Sequence, residues 1–311
     1  MVLRIGTRAS KLALAQAHWV RKRISAQYPD LKVELVTVRT KGDRVRDRPL
    51  STIGGKGLFV KEIEEALQRR DIDIAVHSLK DVPAELPGDL YIGAIPERED
   101  PWDVLISKDH SPLEELPKGS RIGTSSLRRA AQLLHHRPDL EIVPLRGNLD
   151  TRIRKLQSLD MHAIIVAAAG LRRTGMVDHI THPIPLDLML PAIGQGALGL
   201  ELRLDDRKTR TMVAFLDHYT THVAVEAERA FLKELKGGCQ LPVAAFGQLI
   251  DGTLRLDGMV ADVRGEKVVR DRVSGSPGDA KTLGTALARR VLEAGAREIL
   301  EEIYKGEDRG E

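Results

Sequence analysis

The sequence predicts two α/β domains with mainly parallel sheets, followed by a smaller α+β domain built round a short antiparallel sheet. Three observations carry this. At 311 residues and 34.4 kDa the chain exceeds what one ordinary core organises, at roughly 100–200 residues per domain. The tetrapeptide RIGT occurs at residue 4 and again at residue 121, each time as an apolar strand running into a polar loop and then an amphipathic helix. After about residue 217 strands no longer alternate with helices.

The elements follow in order. In the first copy Ser10 is placed to cap a helix with Leu12, Ala15, Trp19 and Val20 at helical spacing. "VELVTVRT", "GLFVKEIEEALQRR" and "DIDIAVHS" then continue as strand, helix and strand. Between them, "KGDRVRDRPLSTIGGKG" at 41–57 mixes charge, glycine and proline and reads as a long mobile loop. In the second copy Ser125 or Ser126 caps a helix with Leu127, Ala130, Ala131 and Leu134 inward, and "LEIVPLR", "NLDTRIRKLQSLD" and "HAIIVAAAG" repeat the pattern. The last region opens with the helix "HVAVEAERAFLKELKGG". Three strand-like runs follow, joined by Asp251-Gly252 and by "RGEK" at 264–267, and a helical tail starts near 277.

Composition narrows the function. A single cysteine, Cys239, excludes an internal disulfide, and no export signal is read at the start, so a soluble cytoplasmic protein is expected. The longest apolar run, "AIIVAAAG", is far short of the roughly 20 residues that cross a bilayer, so no membrane partner is expected. Net charge is only +3, yet Arg121, Arg128, Arg129, Arg146, Arg152, Arg154, Arg172 and Arg173 crowd one stretch, which points to an anionic partner. Aromatics are 3% of the chain, too few for the stacking surfaces of a nucleic-acid groove, so small anions are expected and nucleic acid is not.

In parallel α/β sheets ligands bind beyond the carboxyl ends of the strands, where helix N-termini present unpaired N–H groups. Those ends read "GTRAS", "HSLKDVP", "GTSSLRR", "LRGNLDTR" and "AAAGLRR". Arginine's planar fork suits carboxylates or phosphates, so together they describe a cleft for a ligand with several anionic groups. Asp81 is the acidic group at its mouth, able to accept from an N–H donor and to stabilise a cation forming on a substrate; an Asp cap or a Lys80–Asp81 surface pair is the plainer role for it. "GGKGLF" at 54–59 lacks the phosphate-loop spacing and reads as a hinge or lid. His77, His135, His136, His179 and His182 lack accompanying ligands at metal spacing, so no metal is expected. Cys239 would by default be a small buried residue. The two glycines before it and a basic cleft nearby make it a candidate nucleophile or attachment point.

In "RIGTRAS", "GGKGLFVKE", "DIAVHSLKDVP", "GTSSLRR", "LRGNLDTR", "LPAIGQGA" and "GGCQLPV", the chain resembles the porphobilinogen deaminases, or hydroxymethylbilane synthases, over nearly its full length. The resemblance implies a dipyrromethane cofactor held by a thioether to Cys239. Onto it four porphobilinogen units are condensed with loss of ammonia, before hydrolysis releases a linear tetrapyrrole. It places Ser78, Lys80, Thr124, Ser126, Arg128, Arg129, Arg146 and Arg152 round the cofactor or growing chain. Arg8, Gln16 and Arg173 fall near the incoming pyrrole, Arg146 and Arg152 serve the substrate as well, and Phe59 covers the site. Asp81 matches the catalytic aspartate that contacts pyrrole N–H groups and stabilises the azafulvenium cation. Thr52 stands where many relatives have lysine. The implied fold is two periplasmic-binding-protein-like α/β domains round a cleft, 1–96 with 197–216 and 97–196, plus an α+β domain at 217–311. "LPAIGQGALGLELRLDD" reads as the strand-bearing return into the first domain. A monomer is expected. Two other readings stand beside this one. A solute-binding module leaves Asp81, the third domain and Cys239 unexplained, and a nucleotide-dependent enzyme lacks the phosphate-loop spacing.

Overall fold

The computed structural model describes residues 2–40, 57, 60–236 and 241–308, and three separate sheets form among them. Only Gly57 of the loop at 41–57 is within those residues; Thr52, Phe59 and Cys239 lie outside them. The first lobe contains β1 (Val2–Thr7), α1 (Lys11–Gln27), β2 (Lys32–Thr37), α2 (Lys61–Gln68), β3 (Ile74–Ser78) and β4 (Leu90–Ala94). The second contains β5 (Asp103–Ser107), β6 (Arg121–Gly123), α3 (Leu127–His136), β7 (Glu141–Val143), α4 (Leu149–Ser158), β8 (Ala163–Ala167), α5 (Ala168–Thr174) and β9 (His182–Pro183). The chain then returns as β10 (Leu198–Arg203) and α6 (Arg207–Val213). The remainder is α7 (Tyr219–Glu234), β11 (Val243–Ile250), β12 (Thr253–Ala261), β13 (Val268–Gly275), α8 (Ala280–Val291) and α9 (Arg297–Asp308).

The two lobes share one topology. Their strand orders are β2-β1-β3-β10-β4 and β7-β6-β8-β5-β9, so the RIGT strands β1 and β6 hold equivalent places. Three strands run parallel in each, and the fourth, β10 or β5, is antiparallel to both neighbours. In each lobe that reversed strand is the one delivered by a crossover from the other lobe. Alternating apolar residues fix the faces: Leu3, Ile5, Ile74 and Val76 pack against Ala17, Val20 and Ile24 of α1, while Ala75 and Ile72 pack with Ile63 and Leu67 of α2 on the opposite face. The two crossovers touch. Glu99 donates to the Gly196 carbonyl at 3.1 Å, and a Cβ at Gly196, whose φ is +85°, would collide with the Glu99 carbonyl.

Ser10 and Ser126 do cap α1 and α3, accepting from the backbone N–H of Ala13 and Arg129. The buried stripes differ from the spacing argument. On α1 they are Ala13, Gln16, Ala17, Val20 and Ile24, and Trp19 is 42% exposed with the Arg23 guanidinium 5.9 Å from its ring centre. The small Ala13 and Ala17 let the helix lie close to the sheet, where Trp19 would not fit. On α3, Leu127 is 37% exposed and Arg128 and Arg129 are buried. Hydropathy alone places arginines outward, but a buried carboxylate reverses that preference.

The third unit packs α7, α8 and α9 on a β11-β12-β13 meander whose first turn, Asp251-Gly252, has positive φ at both residues, the geometry that matches strand twist in a two-residue hairpin. It is bound to the crossovers at several points, among them Thr221, whose hydroxyl accepts from the Arg98 backbone N–H at 3.0 Å, and Glu228. The fully buried Glu228 of α7 accepts from both terminal nitrogens of Arg98 (2.6 and 3.1 Å) and from the backbone N–H of Gly194 (2.7 Å) and Gly247 (2.9 Å). No helix among the described residues is long and apolar enough to cross a membrane.

Candidate active site

The site lies where the two sheets present their carboxyl ends to each other. In the first lobe β3 ends at Ser78 and runs into a 3₁₀ turn, Leu79–Asp81. The turn is held from behind, because Leu79 donates to the Ala197 carbonyl (3.0 Å) and Val82 closes back on Leu79 (3.1 Å). Gln16, buried on α1, donates through Nε2 to Ser78 Oγ at 2.8 Å. Arg8, Ser10, Leu12, Gln16, Ser78 and Asp81 line a cavity of about 50 Å³. The loop "GTRAS" and the turn "HSLKDVP", far apart in sequence, therefore meet as one wall.

The opposite wall comes from the second lobe. Thr124 is buried just past β6, and its hydroxyl accepts from the backbone N–H of Ser126 (3.2 Å). Arg128 Nη1 lies 2.8 Å from Asp103 Oδ2 and donates to the Leu190 carbonyl at 2.6 Å. Arg129 donates from Nε (3.0 Å) and Nη2 (2.7 Å) to Asp103 Oδ1, and from Nη1 to the Ile165 carbonyl (3.0 Å). Gln195 Nε2 adds a bond to the same carboxylate oxygen at 3.1 Å. Burial would push the Asp103 carboxyl up, but the two guanidinium groups hold it far below the usual carboxylate range. Arg152 donates to the Gly147 carbonyl (2.9 Å), and the Arg146 carbonyl accepts from Lys155 (3.2 Å).

The walls feel each other. Burial pushes Lys80 down to about 8, the positive charges of Arg129 and Arg128 push the same way, and Asp81 and Asp103 oppose them. Burial likewise pushes Arg152 down to about 10, with Arg129 and Arg146 adding to the shift and Asp81 opposing it. Ser78, Lys80 and Asp81 are thus brought together with Arg128, Arg129, Arg146 and Arg152. Arg173, on α5, donates to the Gly196 carbonyl of the crossover at 2.7 Å, and burial lowers it to about 10.

Several residues of the site went unassigned by the sequence argument. Asp103 carries a signal in retrospect, an acidic residue opening the buried strand "DVLIS". Gln195 sits in the quoted motif "LPAIGQGA" but had no role until its contact with Asp103 was visible. Nothing local marks Arg98, Glu228 or the buried His77–Glu201 pair (2.9 Å), since each is defined by a partner remote in sequence.

Fold and site together define a class: a two-lobed α/β protein whose cleft sets the buried arginines of one lobe opposite Ser78, Lys80 and Asp81 of the other. The family described as "Porphobilinogen deaminase, dipyromethane cofactor binding domain" matches residues 3–211, and "Porphobilinogen deaminase, C-terminal domain" matches 222–293. A porphobilinogen deaminase of Trichlorobacter lovleyi is 56% identical over 98% of this chain and 97% of its own. One of Geobacter metallireducens is 54% identical over 98% and 96%. Among solved structures, the methionine-binding protein MetQ is a loose likeness, 16% identical with a TM-score of 0.45 over 69% of this chain and 88% of its own. The chain belongs to the porphobilinogen deaminase family.

It is therefore a transferase of tetrapyrrole biosynthesis. It condenses four porphobilinogen molecules, with loss of ammonia, onto a covalently bound dipyrromethane cofactor, and releases hydroxymethylbilane by hydrolysis. The donor set fits such a group. The cofactor's acetate and propionate arms are anionic, and Lys80 and Arg152, lowered first by burial and then by neighbouring arginines, are cations that such arms would stabilise.

Proposed function

We propose that Cys239 carries the cofactor through a thioether and that Asp81 is the catalytic carboxylate. Ser78, Lys80, Thr124, Ser126, Arg128, Arg129, Arg146 and Arg152 hold the cofactor and growing chain. Arg8, Gln16, Phe59, Arg146, Arg152 and Arg173 receive the incoming porphobilinogen. The observation that carries the reading is the division of labour between two carboxylates. Asp103 is buried under Arg128, Arg129 and Gln195, whereas Asp81 lines the cavity and faces Lys80 and Arg152.

A carboxylate so placed accepts from a pyrrole N–H and stabilises the cation left on the substrate when ammonia departs, and this stabilisation is preorganised. The cofactor, when bound, supplies the nucleophilic pyrrole carbon. Lys80 and the arginines bind the carboxylate arms, which orients the rings and offsets the charge that accumulates with each addition. The three sheets support a division into domains at 1–96 with 197–216, 97–196 and 217–311. We take the enzyme to be monomeric and cytoplasmic; the low aromatic content argues against a nucleic-acid partner, and the short apolar runs argue against a membrane one.

Intact mass of the denatured protein, before and after addition of porphobilinogen, tests the two central assignments. Wild type should exceed its sequence mass by a dipyrromethane and grow by further pyrrole units. Cys239→Ser should stay at its sequence mass, and Asp81→Ala should turn over more slowly than wild type by orders of magnitude. A cofactor mass retained by Cys239→Ser would remove the attachment site. Turnover of Asp81→Ala within a few-fold of wild type would remove the catalytic role.

A further inference from the structure

The turn that carries Asp81 is held on its far side by the third domain. Arg229 of α7 donates from Nη2 to the Pro83 carbonyl at 2.7 Å and to the Ala84 carbonyl at 3.3 Å, and from Nη1 to the Val82 carbonyl at 3.3 Å. Three successive carbonyls immediately after Asp81 thus converge on one guanidinium, and hydrogen bonds from an ionised donor are the strong kind. The contact is backed by packing: Val82 and Leu79 are buried in one cluster with Val225, one turn earlier on α7. The adjacent residue, Glu228, binds the crossovers, so two consecutive residues of one helix fix both the hinge region and the segment leaving Asp81. α7 ends at Glu234, five residues before Cys239 in the sequence.

We propose that Arg229 is a positioning residue for the reaction: by clamping the Val82–Ala84 carbonyls it sets the place of Asp81 relative to the helix that leads to the cofactor-bearing cysteine. It touches no substrate. Its effect passes through Asp81, and the inference therefore rests on the catalytic role assigned to that residue. Ala197 anchors the start of the Leu79–Asp81 turn and Arg229 its exit. Without the exit anchor the turn keeps its sheet attachment but loses its reference to the third domain. Displacement of a catalytic group by about an ångström lowers rates by up to about 100-fold.

The test is a double-mutant cycle on cofactor-loaded enzyme, with Arg229→Gln, Asp81→Ala and the pair, and with Arg229→Lys as the conservative variant. Steady-state porphobilinogen consumption is read for the active forms, and the slow first addition is followed by intact mass for those lacking Asp81. Arg229→Gln should lower kcat by about 10- to 100-fold and leave KM within about twofold, with Arg229→Lys in between. In the Asp81→Ala background the same change should alter the residual rate less than twofold, because the group it positions is gone. Equal slowing in both backgrounds, or a wild-type kcat for Arg229→Gln, overturns the inference. An Asp81→Ala variant that itself turns over normally instead overturns the assignment of Asp81, and the single variant tells that failure from the other.

Discussion

The two lobes have the same strand order and the same reversed crossover strand, yet they bury different polar groups in it. On β5 the carboxylate is Asp103, opposite Ala167 at the very end of β8, where the sheet meets the cleft. On β10 it is Glu201, opposite Ala75, three residues back from the Ser78–Leu198 pair that marks the equivalent end. Asp103 consequently gathers Arg128 and Arg129 at the site, while Glu201 is sealed under α2 with His77 as its partner. A duplicated scaffold thus yields a cationic wall on one side and, on the other, a wall formed by Ser78, Lys80 and Asp81 at and just beyond the end of the strand. Where along a shared strand the acid falls decides whether it organises the ligand site or stays in the core.

The largest effect should come from breaking the Asp103 cluster. Asp103→Asn leaves two buried guanidinium groups with no anion, and loss of one partner from a buried pair costs about 3–5 kcal/mol. The equivalent change in the first lobe, Glu201→Gln, keeps a hydrogen-bonding amide beside His77 and should cost nearer 1 kcal/mol. Urea unfolding of both variants measures the contrast. Equal losses would mean that position along the reversed strand does not distinguish the two acids.

Much of this was legible in the sequence, and the boundary has a physical cause. Strand and helix order, the Ser10 cap, a serine cap at 125 or 126 and the Asp251-Gly252 hairpin follow from signals a few residues long, whereas the return at 198–203 came with the family resemblance. The strand-end motifs also described a cleft of arginines with Asp81 at its mouth, because the fold class says where ligands bind; which lobe supplies which wall came from the structure. Arg128 and Arg129 were singled out, but not their burial, which depends on Asp103, a residue from another strand. Arg229 was missed, since its partners are main-chain carbonyls and leave no mark on composition.

A second effect separates the lobes by pH. Burial, and then the Glu201 carboxylate, push half-buried Glu64 on α2 up to about 7 from an ordinary 4.5, with His77 opposing and Glu65 adding slightly. The folded state therefore holds a proton that the unfolded chain has lost. The associated stability is complete below about pH 4.5 and disappears as pH rises through about 7. Glu64→Gln carries no such proton. Its thermal midpoint should fall less than that of wild type between pH 5 and pH 8. Parallel curves would show that Glu64 does not titrate in this window, and that the first lobe's buried cluster is as fixed in charge as the second's.

The smallest effect lies between the lobes. At the mouth of the cleft Lys11, in the first turn of α1, pairs with Asp150, in the first turn of α4, at 3.0 Å. Behind them Leu12 and Leu149 both lie against Gly170. Both charges are exposed, so the pair contributes only about 0.2–1 kcal/mol and is screened by salt. Lys11→Glu should lower the thermal midpoint by about a degree or two at low ionic strength and by less at about 0.5 M salt, where the Debye length is under about 5 Å, and adding Asp150→Lys to Lys11→Glu should restore it. A loss as large as that of Asp103→Asn would mean the lobes are locked by this contact. A small, salt-sensitive loss means that this pair is not what holds the lobes together and that the contacts behind it, Glu99 with Gly196 and Leu12 with Leu149 at Gly170, carry that role.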